Sequence, residues 1–184
     1  ALLASQAVMA QSTPMAQVTS QANLTVTGPD TVASTNFPVN SSNSTVLLQG
    51  DIVTVTPTDQ APGSVSQGAE YSALRLSMVT NANTANWTAI NVSKTGTAPD
   101  AVATTVKVYL DDGDNGYDAG DTLISPAVTT FSGGSAAITL TAAQTLTTSA
   151  KVYFIVLDLA PDVGAGNTVG VSVASQGQLT VDTP

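Results

Sequence analysis

The chain has no cysteine, no histidine, and only four basic residues among its 184. Without cysteine there is no disulfide, no thiolate nucleophile and no zinc site built on sulfur. Without histidine the commonest general base and the usual transition-metal ligand are missing. The four cations, Arg75, Lys94, Lys107 and Lys151, face thirteen acids and leave a net charge of −9. Such a balance repels phosphate backbones, so nucleic acid is excluded as a partner, and it disfavours anionic membrane surfaces. No apolar run is long enough to cross a bilayer, so no transmembrane segment is expected. Aromatic residues make up 4%, so Val, Leu, Ile and Ala must build any core. Charged residues make up 9%, against about a quarter in ordinary soluble domains.

Thr, Ser, Asn, Gln, Ala and Val take their place. A surface wetted by hydroxyls and amides is common in secreted β proteins, and an extracellular or cell-surface location is expected. Asn-x-Ser/Thr sequons stand at Asn23, Asn40, Asn43, Asn86 and Asn91, a weak pointer in so Ser/Thr-rich a chain. Ala1–Ala10 has the short apolar run and small-residue close of a secretory signal end. It reads either as the start of a mature secreted chain or as a signal remnant.

Beyond residue 22 the pattern is β almost throughout. Strands are expected at Asn23–Thr27, Thr45–Thr56, Tyr71–Thr80, Trp87–Ser93, Thr104–Leu110, Thr122–Thr130, Ala136–Thr141, Lys151–Leu159, Thr168–Ala174 and Gln178–Val181. Leu74, Leu76 and Met78 alternate on one face, as do Val106, Val108 and Leu110. The run Val152–Leu157 is continuously apolar, as a central strand buried on both faces must be. Turn signals recur at Gly28-Pro29, Pro62-Gly63, Thr95-Gly96, Gly133-Gly134 and Pro161-Asp162. The expectation is an all-β, Greek-key β-sandwich of roughly 8–10 strands over residues 23–184, preceded by an extended arm over residues 1–22.

The densest chemistry lies in Leu110-Asp-Asp-Gly-Asp-Asn-Gly-Tyr-Asp-Ala-Gly-Asp121. Asp111, Asp112, Asp114, Asp118 and Asp121 crowd one glycine-rich loop without a basic residue. A hard cation relieves such repulsion, and calcium prefers an all-oxygen cage around a tight glycine turn. These five aspartates are the candidate calcium ligands. The plainer alternative is a hairpin turn at Asn115-Gly116 with solvated acids. Counting Gly116 as the sixth position of an EF-type loop puts Gly113 third and Thr122 twelfth, where acids are expected.

The stretch Val108-Tyr-Leu-Asp-Asp-Gly-Asp-Asn-Gly-Tyr-Asp-Ala-Gly-Asp-Thr-Leu123 resembles the acidic loop of calcium-stabilised, Ig-like β-sandwich modules in bacterial and archaeal surface proteins. B-type repeats of adhesins and dockerin-like loops carry a similar pattern. Gly96–Asp100 and Phe131–Gly134 fit such modules too, and the likeness covers about residues 70–175. It implies an Ig-like sandwich, a structural calcium ion and a surface role.

Catalysis is not expected. The acids sit together in one turn instead of flanking a cleft, and the serines have no histidine partner and no Gly-x-Ser-x-Gly elbow. Trp87 is read as core in preference to a sugar-stacking platform. The arm holds Leu2, Leu3, Val8, Met9, Met15 and Val18 among small polar residues, with Pro14 as a helix breaker. About twenty extended residues reach on the order of 70 Å, far enough to add a strand to a neighbouring subunit. Repeated head to tail, this makes an open filament of copies of the chain. The expected role is a calcium-stabilised subunit of an extracellular filament or pilus, with those six apolar residues as the partner contacts. One alternative is that the arm packs on its own sandwich. Another is an adhesin or carbohydrate-binding module whose partners are glycans.

Overall fold

The structure, a computed structural model, describes residues 17–19, 43–45, 52–162 and 164–182. The chain divides into two units, residues 1–50 and 51–184. In the first, β1 (Gln17–Thr19) pairs antiparallel with β2 (Asn43–Thr45), bringing Val18 opposite Ser44. The other arm residues named above, Leu2, Leu3, Val8, Met9 and Met15, lie outside the described residues, as does the expected strand at Asn23–Thr27.

The second unit is all β. Its strands are β3 (Val53–Asp59), β4 (Glu70–Thr80), β5 (Ala85–Thr95), β6 (Ala103–Leu110), β7 (Thr122–Leu123), β8 (Ser135–Leu146), β9 (Lys151–Leu159), β10 (Gly170–Ser172) and β11 (Leu179–Asp182). Five form one antiparallel sheet in the order β3-β4-β9-β6-β7, and in the other β5 lies between β8 and the pair β10 and β11. Inward residues from both sheets share one core, among them Leu76, Met78, Trp87, Val92, Ile138 and Tyr153. Trp87 and Tyr153 meet edge to face across the sheets with ring centroids 4.8 Å apart. Trp87 is wholly buried, in keeping with its reading as core, and its indole N–H donates to the Ala89 carbonyl at 2.8 Å.

The continuously apolar run lies where its composition requires. β9 is the middle strand of the five-stranded sheet. Tyr153, Ile155 and Leu157 face the shared core, while Val152, Phe154 and Val156 form a second cluster on the other face. A strand buried on both faces has no room for alternation.

The expected strand Thr122–Thr130 shortens to β7, because Pro126 lacks the N–H a ladder needs. Ser125 stands in with its side chain, accepting from the Val108 amide at 3.0 Å and donating to the Pro126 carbonyl at 3.1 Å. The expected strand Thr45–Thr56 is β2 and β3 at its two ends, with residues 46–51 outside the described set.

The two flanks of the second unit differ. On one, the Ile124 amide donates to Val108 of β6 at 2.9 Å and its carbonyl accepts from the Thr141 amide of β8 at 2.8 Å, which ties the sheets together. On the other, the edge strand β3 and the pair β10 and β11 stay apart. Between them lies a groove of about 610 Å³ lined by Val53, Val55, Val173, Leu179 and Val181.

Candidate functional site

The acidic loop spans the β6–β7 hairpin, in which Tyr109 pairs with Leu123 and Leu110 with Thr122. It is not a two-residue turn at Asn115-Gly116. The strands close at the Leu110–Thr122 pair, well away from Asn115, and although Asn115 has a φ of 68°, Gly116 does not share the positive φ that a type I′ turn needs at both positions. The chain instead makes a run of short Asx turns. The amides of Gly113, Asp114, Gly116 and Gly120 donate to the carboxylates of Asp111, Asp112, Asp114 and Asp118, two residues back in each case, at 3.1, 3.3, 2.7 and 2.6 Å.

These bonds sort the five aspartates. Asp111 engages both oxygens, since Oδ1 also accepts from the Asn115 amide at 3.0 Å. Asp121 engages both as well, accepting from the amides of Asp112 at 3.1 Å and Asp118 at 3.2 Å, and so closes the loop on itself. Asp112, Asp114 and Asp118 each engage one oxygen and keep Oδ2 out of any such bond among the described residues. Asp111, Asp112 and Asp114 each bring one carboxylate oxygen within 4.8 Å of the others. Two ligands of one calcium ion, each roughly 2.4 Å from it, lie at most about 4.8 Å apart. Asp118 belongs to the same surface: a methyl group at Gly120 would collide with Asp112 Oδ2 and stand 3.0 Å from Asp118 Oδ1. Asp111, Asp112 and Asp114 therefore bring oxygens close enough together to share one hard cation, while Asp121 closes the loop. Burial and the charges of Asp121 and Asp114 push the Asp111 carboxyl above its usual range, against the pull of the two amides it accepts.

The loop does not project freely. Tyr117 folds back over the outer face of the sheet, its ring 5.9 Å from Phe154 and 5.2 Å from Tyr109, and its hydroxyl donates to Glu70 Oε1. Arg75 of β4 donates to Asn115 Oδ1 at 2.8 Å. The sequence places no cation inside the loop, yet the fold brings one to its tip.

Beside Tyr117 lies a cluster that the sequence pattern did not announce. Lys107 Nζ stands 2.7 Å from Asp158 Oδ2 and 3.0 Å from Glu70 Oε2, with Lys107 largely buried at 16% exposure. Thr105 donates to Asp158 Oδ2 at 2.5 Å. Alternation turns Lys107 outward between Val106 and Val108. Its partners come from β9 and β4, which only strand pairing can specify. Burial lowers the Lys107 ammonium, but its bonds and charge pairing with Asp158 and Glu70 outweigh that and hold it above the lysine range. Burial raises the Asp158 carboxyl, while hydrogen bonds with Glu70, Lys107 and Thr105 hold it below the carboxylate range. A charged lysine between two acids is an ion-pair clasp across three strands, and its amine is held in the non-nucleophilic form.

No protein-family model, curated protein or solved structure matches this chain. Its functional reading therefore rests on its own geometry.

Proposed function

We propose that the chain is a structural subunit of an extracellular filament, pilus or related surface assembly, polymerising head to tail by donation of its N-terminal arm and stabilised by calcium in the Asp111–Asp121 loop. One observation carries this reading: β3 is an edge strand that pairs with β4 alone among the described residues. An edge with unpaired backbone groups is a template for a further strand, and an apolar arm within residues 1–22 is suited to supply it.

Calcium acts in this proposal as a fastening. Asp111, Asp112 and Asp114 would hold the ion, with Asp118 beside them, clamping the β6–β7 hairpin over the outer face through Tyr117. A Greek-key, Ig-like character belongs to the same proposal. It is supported by the way the chain changes sheets between β4 and β5, β5 and β6, β7 and β8, β8 and β9, and β9 and β10, and by the loop's likeness to calcium-stabilised surface modules. Trp87, Tyr71 and Tyr153 are all buried, so these rings offer no platform for stacking a sugar.

The test is assembly. Full-length protein and protein lacking residues 1–22 are compared by size-exclusion chromatography and negative-stain microscopy. Filaments or ladders of oligomers from the full chain, absent after truncation, are expected. A full-length chain that stays monomeric at high concentration ends the filament reading.

A further inference from the structure

We infer that the groove between β3 and the β10–β11 edge is the acceptor site, and that it takes the Leu2–Met9 segment of a second copy as an added strand. The inference rests on the strand-donation reading above and names the surface that reading leaves open. Its first support is the asymmetry of the flanks. Ile124 bridges the sheets on one side, whereas on the other the apolar groove runs between two strands that each have an unpaired edge among the described residues. Val53, Val55, Val173, Leu179 and Val181 line it, and all five are only partly buried against the core they adjoin. An inserted strand would cover these side chains with one face and pair its backbone with β3.

The second support is charge. The protein carries −9 overall, yet no lining residue of the groove is charged. Residues 1–29 contain no Asp, Glu, Lys or Arg either, and the first charge is Asp30. An uncharged segment meeting an uncharged groove escapes the repulsion that two such acidic chains feel elsewhere.

The third support is dimension. The seven residues of β3 extend for about 23 Å at roughly 3.3 Å per residue, and the eight residues of Leu2–Met9 match that length. Gln17–Thr19 already pairs with Asn43–Thr45, so the donated strand lies before β1. Pro57 withholds one N–H from the β3 rim, so the added ladder lacks one bond at that position. In the strand-donation reading that donor belongs to another copy.

The native chain has no cysteine, so single-cysteine cross-linking is unambiguous. Full-length chains carrying Ser5→Cys and full-length chains carrying Thr54→Cys are mixed and oxidised; Thr54 is exposed, so the change there leaves the core untouched. Disulfide-linked pairs of one of each, formed at least tenfold faster than with cysteine at exposed Thr139 on β8, are expected. Val55→Lys should raise the concentration needed for assembly at least tenfold while the chain stays folded by circular dichroism. If truncation of residues 1–22 abolishes assembly but Thr54→Cys cross-links no faster than Thr139→Cys, strand donation stands and the groove is not its acceptor. If a single chain carrying both Ser5→Cys and Thr54→Cys closes internally at every concentration, the arm fills its own groove and the inference is overturned. Absence of any wild-type assembly removes the strand-donation reading itself.

Discussion

The ring of Tyr117, at the centre of the acidic loop, lies 5.9 Å from that of Phe154 on the middle strand of the five-stranded sheet. The same residue that spaces the aspartates also covers an apolar side chain that would otherwise face water. Loop order and sheet packing are therefore coupled through one side chain. Tyr117→Ala should cost about 2–3 kcal/mol, from lost burial and lost ring contacts with Phe154 and Tyr109. Tyr117→Phe keeps the rings and loses only the bond to Glu70, so about 1 kcal/mol is expected. Urea denaturation of the two variants measures both, and equal costs would mean that the hydroxyl, not the ring, fastens the loop.

Calcium should raise the melting temperature of the full chain, with the rise growing as the logarithm of free calcium above the dissociation constant, since the ion binds only the folded loop. Asp112→Asn with Asp114→Asn should abolish the rise. Gly120→Ala should weaken it, because the added methyl collides with Asp112 Oδ2, yet should leave metal-free stability within about 1 kcal/mol at this exposed site. Scanning calorimetry in calcium and in EDTA decides the matter. A melting temperature indifferent to both removes the metal from the proposal.

The Glu70–Lys107–Asp158 clasp predicts a pH dependence of definite sign. Asp158 is held below its ordinary value of 3.8, so its stabilising contribution is complete above that pH and is lost as pH falls through the lower folded value. Lys107 is held above its ordinary 10.5, so its contribution is complete below that pH and is lost as pH rises through the higher folded value. Asp111 runs the other way among the acids. Its raised carboxyl favours the folded state in acid and ceases to as pH rises past its folded value. Asp158→Asn should shrink the stability lost between pH 7 and pH 2 by about 1 kcal/mol, a small figure because the clasp is partly open to water. Chemical denaturation at the two pH values reads it; an unchanged difference would show that the clasp contributes nothing.

Tyr153 is wholly buried, and its hydroxyl has no hydrogen-bond partner among the described residues, with burial pushing its pKa up to about 12. Tyr153→Phe removes an unsatisfied polar atom while keeping the ring against Trp87. It should be neutral or stabilising by about 1 kcal/mol, whereas Trp87→Ala in the same contact should cost about 3–5 kcal/mol. A loss above about 1 kcal/mol in Tyr153→Phe would show that the hydroxyl is satisfied in solution.

Much of the fold was legible in local pattern, because a strand's side chains alternate with period two. Leu74, Leu76 and Met78 announce an inward face, and Val152–Leu157 announces a central strand, before any partner is known. Loss of alternation marks burial on both sides, and the structure places β9 in the middle of its sheet. The expected strand after Asp121 failed at Pro126, where a missing amide outweighed the β propensity of its neighbours.

The loop at Asp111–Asp121 was equally legible in part. Composition alone shows five acids in one glycine-rich segment, and the flanking strands make it a hairpin. Composition does not show which aspartates turn the chain and which keep an oxygen spare. That follows from which amide lies two residues ahead of each, and from Asp121 reaching back to Asp112. Nor does it show that Arg75, forty residues away, comes to the loop's tip.

The sequence by itself determined the class of this protein: acidic, without thiol or imidazole, built of alternating strands, with one acidic hairpin and an uncharged N-terminal stretch. These are properties of composition and short-range period, which need no knowledge of partners. Tertiary structure alone decided the Glu70–Lys107–Asp158 clasp, the seating of Tyr117 on Phe154, and which flank stays open between β3 and β11. Each depends on strand register and on how two sheets close. Those are set by the summed burial of many residues far apart in the chain, so no local pattern carries them.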